Sequence, residues 1–367
     1  MSERIVVKIG SSSLTSDEGG LNRARVDFFA GELASLHRTG RQVLLVTSGA
    51  VAAGFRKIGY PSRPKQLHEK QAAAAVGQAL LMRAYQEAFG ENGIVAAQIL
   101  LTRHDFSNRQ RIHNALMALE ELLRRGVVPI INENDTVTVE GLKFGDNDNL
   151  SALVANLVRA RKLIILTDTD GLYTDDPRRN PEARRIDRVT EINERIMAIA
   201  GGAGSSVGTG GMRSKIEAAR VAMRGGVQAF VGKASEPGDL LAAVEGRGRG
   251  TYFDTDFHNL SMKKQWIGFH STPNGRITVD EGAVRALVSE GRSLLPAGVV
   301  GTEGEFHPGD VVEVAGPDGV PIGRGVVNYA SWQVQATAGL STDEVRRRFD
   351  VVRIEVIHRD EWVSFQH

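Results

Sequence analysis

Short β-branched runs that stop at glycine or small polar residues recur along this chain as far as Gly232, at 4–9, 42–47, 94–101, 127–131, 162–166 and 227–232. Between them lie segments with helical spacing. Residues 22–37 place Val26, Phe29, Leu33 and Leu36 on one face behind a capping Asn22 and stop at Gly40. An alanine-rich stretch covers 66–89 and an amphipathic one 108–125, the latter stopping at Gly126. Apolar strands alternating with helices predict an α/β fold with a parallel sheet, because a parallel pair needs a crossover and the helices of the crossovers bury both sheet faces. In open sheets of this kind ligands sit beyond the carboxyl ends of the strands. The loops that follow the strands are therefore where function is expected.

Those loops are unusual in composition. After the first strand comes Lys8-Ile9-Gly10-Ser11-Ser12-Ser13, whose backbone N–H groups can cradle phosphate oxygens while Lys8 adds a point charge; it is not a Walker A sequence, and a solvated edge lysine is the plain alternative. Val46-Thr47-Ser48-Gly49-Ala50 opens a helix through small residues that allow close approach to an anion or close packing against a strand. Asn132-Glu133-Asn134-Asp135 ends another strand, and a partly alternating hairpin over 136–144 leads to Gly145-Asp146-Asn147-Asp148-Asn149-Leu150-Ser151-Ala152. One Asn or Asp is enough to cap a helix. The surplus amides and carboxylates point to an ammonium-bearing ligand, a metal-bound phosphate or a lysine held in place. Leu166-Thr167-Asp168 ends a further strand, and a glycine-rich run from Gly201 reaches Gly208-Thr209-Gly210-Gly211-Met212-Arg213-Ser214-Lys215, a candidate phosphate loop with Lys215 one turn inside the next helix.

Composition removes several other classes. The 367 residues exceed one average core, so two domains are expected. Lys plus Arg number 45 against 44 Asp plus Glu, which gives no overall charge with which to attract nucleic acid or a membrane surface. There is no cysteine, hence no disulfide framework, zinc ribbon or thiol nucleophile, in keeping with a cytoplasmic protein. No His/Cys cluster offers a metal site, and no segment approaches the ~20 apolar residues of a membrane span.

Taken in order, the six loop motifs resemble the amino acid kinase family, in the branch that phosphorylates the side-chain carboxylate of L-glutamate. The resemblance extends over essentially the whole chain. It implies a three-layer α/β/α sandwich and conversion of ATP and L-glutamate to ADP and L-glutamyl 5-phosphate, the first step of L-proline biosynthesis. A carboxylate is already ionised at neutral pH, so its phosphorylation needs alignment and charge stabilisation rather than a general base. The resemblance assigns catalysis to Lys8, Asp148 and Lys215, with Asp148 as the organiser of the two lysines. It assigns glutamate to Ser48, Asp135 and Asn147, a carboxylate for the ammonium group with a hydroxyl and an amide for the carboxylates. ATP falls to Lys8, Thr167, Asp168, Thr209, Gly210, Gly211, Met212, Arg213, Ser214 and Lys215. Mg2+ is expected on the phosphates, with no protein side chain as ligand. Proline as feedback inhibitor, a homo-oligomer and a glutamyl phosphate reductase partner are further implications.

After Gly232 the character changes. From Asp254 to Pro273 no periodicity survives, which divides the chain into an expected kinase domain at 1–254, a linker at 255–272 and a β-rich domain at 273–367. Ile277-Thr278-Val279-Asp280-Glu281-Gly282-Ala283 and Phe306-His307-Pro308-Gly309-Asp310-Val311-Val312 in the last part are similar to a PUA pseudo-barrel, a module frequent in RNA-modifying enzymes. From Thr272 onward there are nine Arg, no Lys and fourteen Asp plus Glu, a net charge of −5, whereas phosphate backbones attract positive charge. Nucleic acid is thus a poor partner. An RNA-binding or regulatory protein on a kinase fold stays open as an alternative, as do kinases of acetylglutamate, aspartate or carbamate.

Overall fold

The computed structural model describes residues 2–16, 20–138, 147–177, 180–201, 211–254, 264, 267–268, 271, 273–348 and 353–365. The chain divides into two compact units, Met1–Asp105 with Gln110–Asn259, and Phe106–Arg109 with Leu260–His367. The expected linker and the expected hairpin over 136–144 fall largely outside the described residues.

In the first unit the elements run β1 (Arg4–Ile9), α1 (Ser11–Leu14), α2 (Arg23–Arg38), β2 (Gln42–Thr47), α3 (Ala50–Gly54), α4 (Leu67–Glu91), β3 (Ala96–Leu101), α5 (Arg103–Ser107) and α6 (Arg109–Arg124). They continue with β4 (Val128–Glu133), α7 (Asn147–Leu157), β5 (Lys162–Leu166), β6 (Arg188–Val189), α8 (Glu194–Gly201), α9 (Met212–Arg224), β7 (Gln228–Gly232), α10 (Asp239–Val244) and β8 (Gly250–Phe253). Among the described residues eight strands form one sheet in the order β3-β4-β2-β1-β5-β7-β8-β6. Only β7 and β8 pair antiparallel. In register, Ile9 stands level with Thr47 on one side and Leu166 on the other, and Leu166 with Gly232, so the carboxyl ends of the central strands share one edge.

Alternation along β1 sorts its side chains. Ile5, Val7 and Ile9 join Val43, Leu45 and Ile164 in a core covered by Val26, Phe29 and Leu33 of α2 and Leu81, Tyr85 and Phe89 of α4. The opposite face therefore carries Lys8, on the side where α7 packs against β1 and against α9. Two glycines set the spacing on the other layer. A Cβ on Gly77 would come within 1.7 Å of the Ala50 carbonyl oxygen, and one on Gly54 within 2.0 Å of the Ala73 carbonyl oxygen, so α3 and α4 touch backbone to backbone.

Two boundaries differ from those expected, while α6 covers the segment expected at 108–125 to within one residue at each end. Strand β4 continues to Glu133, because Asn132 and Glu133 pair with Leu100 and Leu101 of β3 although neither is apolar. The strand at 227–232 is not the last of its sheet. β8 pairs with it through Gly250-Thr251-Tyr252-Phe253 directly behind a Gly/Arg run, and Gly232 and Gly250 leave room for the Phe230 ring where a Cβ would approach it to 2.5 Å and 2.4 Å.

The second unit contains β9 (Gly275–Val279), α11 (Glu281–Val288), β10 (Val299–Gly304), β11 (Val311–Ala315), β12 (Pro321–Val327), α12 (Ser331–Thr337), α13 (Thr342–Arg348) and β13 (Ile357–Ser364). Its sheet runs β10-β9-β11-β12-β13, with β9 and β11 parallel and the remaining pairs antiparallel. Ile277, Val279, Val312, Val314, Ile322 and Trp362 fill its core. Asp280 caps α11 by accepting from the Ala283 N–H at 2.7 Å. The Arg346-Arg347-Arg348 run forms the last turn of α13, where positive charge complements the helix dipole.

Candidate active site

Three elements bring three charges together. Lys8 comes from the end of β1, Asp148 from the first turn of α7 and Lys215 from the first turn of α9. All three are buried, Asp148 completely. Lys8 Nζ lies 2.5 Å from Asp148 Oδ1, and Lys215 Nζ 3.2 Å from Asp148 Oδ2. The Ser214 hydroxyl, 2.8 Å from Oδ2, can donate to the same oxygen. Burial is the largest influence on the Asp148 carboxyl and pushes its pKa up. The charges of Lys8 and then Lys215, with hydrogen bonds from Lys8 and Ser214, outweigh it and hold the pKa down at about 2. The cluster therefore carries two ammonium groups and one carboxylate, a net positive centre in a place with little water. Such a centre suits the negative charge spread over the oxygens of a phosphoryl group in transfer.

A second cluster lies on the other side of β1. The two hydrogens of the Asn147 Nδ2 group face three acceptors, Thr47 O at 2.5 Å, Asn132 Oδ1 at 2.7 Å and, more distant, Ser48 Oγ at 3.1 Å. Asn132 Oδ1 also accepts from the Glu133 N–H at 2.9 Å. Asn132 Nδ2 then donates to Gln78 Oε1, and Gln78 Nε2 to Gln98 Oε1, both at 2.8 Å. Thr47 is braced from the helix layer by the Tyr85 phenol, whose pKa burial pushes up against the effect of its 3.2 Å hydrogen bond to Thr47 Oγ1. Between Ser48 and α3, Gly49 turns the chain at φ 107°, a left-handed conformation that a side chain would strain.

Ser48 and Asn147 thus meet, while the amide nitrogen expected to serve a ligand carboxylate is engaged by three protein oxygens. Asp135 follows β4 and lines a cavity of about 310 Å3 together with Ala50, Gln78, Gln98, Glu133 and Asn134. Lys8 and Asp148 do not line that cavity, and neither do Ser48, Asn132 and Asn147, so it does not bring Asp135 together with the other two residues expected to bind glutamate.

On the far side of β1, Thr167 follows β5 and its N–H donates to Gly232 O at 2.9 Å; its hydroxyl donates to Asp168 Oδ1 at 3.0 Å. Gly211 precedes α9, Met212 and Arg213 begin it, and the exposed Arg213 pairs with Glu217 at 3.1 Å. The first N–H groups of α9 open next to Lys215, an arrangement suited to phosphate. Thr209 and Gly210 lie outside the described residues. Among the described residues no group of three or more His, Asp or Glu could hold a metal ion, and no helix is long and apolar enough to cross a membrane. Sequence reasoning did not single out Asn132 within its polar run, nor Gln78 at all, because a lone amide on an alanine-rich helix carries no signal by itself.

Residues 3–233 match the Amino acid kinase family, and residues 275–349 match the PUA domain. The chain is 50% identical over 365 residues to glutamate 5-kinase of Geobacillus kaustophilus, covering 99% of this chain and 98% of that protein. It is likewise 50% identical over 363 residues to glutamate 5-kinase 1 of Bacillus subtilis, with 99% and 98% covered. Among solved structures, carbamate kinase from Giardia lamblia bound to AMP-PNP superposes with a TM-score of 0.50 at 17% identity, over 70% of this chain and 99% of that one; at that identity the likeness concerns the fold.

Proposed function

The chain belongs to the amino acid kinase family, and from that premise we infer that it transfers a phosphoryl group from ATP to the side-chain carboxylate of L-glutamate. The products are L-glutamyl 5-phosphate and ADP, and the reaction is the first step of L-proline biosynthesis. The observation that carries the chemistry is the pairing of Lys8 and Lys215 with one buried carboxylate. The acceptor is ionised at neutral pH, so no base has to remove a proton. Lys8 neutralises charge on the transferring group from the β1 side and Lys215 from the α9 side, as negative charge spreads toward the leaving ADP. Asp148 touches neither reactant in this scheme; it holds both ammonium groups in place.

Ser48 and Asp135 hold the amino-acid end of glutamate, Asp135 through its charge to the ammonium group. Thr167, Asp168 and the segment from Thr209 to Lys215 hold ATP. Mg2+ fits on the phosphates rather than on the protein, because the buried carboxylate at this centre is already taken by two ammonium groups, and it would screen the phosphate charges when bound. Residues 1–254 form the kinase domain, 255–272 the linker and 273–367 the PUA domain. Such an enzyme works in the cytoplasm as a homo-oligomer, with proline as feedback inhibitor and a glutamyl phosphate reductase to receive its labile product.

The test is ATP turnover with Mg2+ and a panel of L-glutamate, N-acetyl-L-glutamate, L-aspartate and carbamate, with hydroxylamine to trap acyl phosphate. Glutamate-dependent hydroxamate that disappears in Lys215→Ala supports the assignment. Equal or greater turnover with another acid, or none with any, overturns it.

A further inference from the structure

The hydrogen bonds around Asn147 decide which of its two amide atoms a ligand can meet. Thr47 O is a backbone carbonyl and can only accept, so the atom of Asn147 that faces it must be the nitrogen. The Glu133 N–H can only donate, so the atom of Asn132 that faces it must be the oxygen. These two backbone groups tell nitrogen from oxygen in both amides, and the Asn147 nitrogen meets the Asn132 oxygen at 2.7 Å, a second anchor for Asn147 beside Thr47 O. Asn132 is 2% exposed, so its own Nδ2 needs a protein acceptor, which Gln78 Oε1 provides. A buried amide nitrogen without that acceptor draws its side chain away toward another, and Asn147 then keeps Thr47 O as its anchor without Asn132.

The consequence lies at the other end of the chain of amides. With Nδ2 occupied, Asn147 has only Oδ1 left to offer, and among the described residues nothing donates to it although the residue is just 7% exposed. Ser48 Oγ, which accepts from Asn147, keeps its hydroxyl proton to give. An acceptor on Asn147 and a donor on Ser48, joined by a 3.1 Å contact, match an ammonium and a carboxylate carried on one carbon.

We propose that Gln78 is a positioning residue which, through Asn132, holds Asn147 with its carbonyl oxygen toward the substrate's α-ammonium group, so that the site reads a free α-amino acid rather than a simple dicarboxylate. The proposal rests on the glutamate-phosphorylating reading above and adds the residue that sets its selectivity. Asn147 touches the substrate; Gln78 acts only through Asn132.

The experiment compares wild type with Gln78→Leu and Gln78→Glu, measuring kcat and KM for L-glutamate and for ATP, Ki for glutarate, which lacks the ammonium group, and Ki for 4-aminobutyrate, which lacks the α-carboxylate. In Gln78→Leu the KM for L-glutamate rises about fivefold or more, the scale of one mispaired hydrogen bond, and preference over glutarate falls by a similar factor. Preference over 4-aminobutyrate stays within about twofold, because both acids carry the ammonium group and lose the same contact, and kcat and KM for ATP stay within about twofold as well. Gln78→Glu keeps an acceptor for Asn132 Nδ2 and retains at least the wild-type preference for glutamate over glutarate. An unchanged KM for glutamate in Gln78→Leu overturns the proposal, and so does a loss of preference over 4-aminobutyrate instead of glutarate. If Gln78→Glu is as impaired as Gln78→Leu, Gln78 touches substrate itself and the proposed role is wrong. A wild-type protein with no glutamate-dependent hydroxamate sinks the kinase reading first, an outcome separable from all of these.

Discussion

Replacing Asp148 by asparagine keeps the shape of the side chain and removes the charge that two buried ammonium groups share. Two figures bracket the cost. Displacement of the carboxyl pKa from 3.8 to about 2 corresponds to on the order of 2 kcal/mol of stability at neutral pH. Leaving buried cations without a counter-charge costs about 3–5 kcal/mol. At roughly 2–4 °C of Tm per kcal/mol for a domain of this size, Asp148→Asn should melt about 5–15 °C below wild type. ATP brings its own negative charge to Lys8 and Lys215, so saturating MgATP should raise the Tm of the variant by more than that of wild type. The pH dependence has a definite sign. The folded-state pKa lies below the unfolded one, so the contribution of Asp148 is complete above about pH 4 and is lost as pH falls from 3.8 through about 2. Differential scanning calorimetry between about pH 7 and about pH 3 should therefore show the gap between the two proteins closing on the acid side. A variant that melts within about 2 °C of wild type at neutral pH, without ligand, would refute the counter-charge role.

Lys215→Ala should lower kcat by about 10²–10³ in the hydroxamate assay, the loss expected for one group that stabilises charge in the transition state. Gly77→Ala sets a methyl 1.7 Å from the Ala50 carbonyl oxygen and should cost at least about 3 kcal/mol in urea unfolding, with a raised KM for glutamate because α3 leads directly from Ser48 and Gly49. Glu32→Ala leaves the N–H groups of Gly238 and Leu240 without the acceptors they now have at 2.9 and 3.0 Å; stability should fall by about 2 kcal/mol with kcat unchanged. The net charge of −5 from Thr272 onward predicts no salt-sensitive gel shift of a structured RNA by the full-length protein.

The central strands were legible because they are buried on both faces and read as apolar runs. Lys8 at the end of one and Asp148 at the start of a helix were legible as charges where packing alone needs none. β8 was not, because Thr251-Tyr252-Phe253 is too short a run to stand out behind the Gly/Arg stretch, and its pair of Gly232 with Gly250 relies on absent side chains, which leave no hydropathy pattern. The 132–135 run announced a polar site, but the role of Asn132 follows from backbone groups on two strands that the sequence separates widely. Gln78 is the extreme case. Its acceptor matters only because β4 continues two polar residues further than hydropathy suggests and so brings Asn132 under α4.

On the proposed assignment of glutamate and ATP, the placement of β1 between β2 and β5 limits which acids the site can use. Neighbouring strands stand about 4.8 Å apart, so the loop after β2 and the loop after β5 are held roughly 10 Å from each other by backbone hydrogen bonds that no loop change can lengthen. The sheet works as a ruler. An acid gripped at its amino-acid end beyond β2 must reach past the end of β1 to meet a phosphoryl group delivered from beyond β5. An acid with one methylene fewer, such as aspartate, ends about 1 Å short, a misplacement that can cost a factor on the order of 10² in rate. On that assignment, chain length is measured by hydrogen-bonded strands.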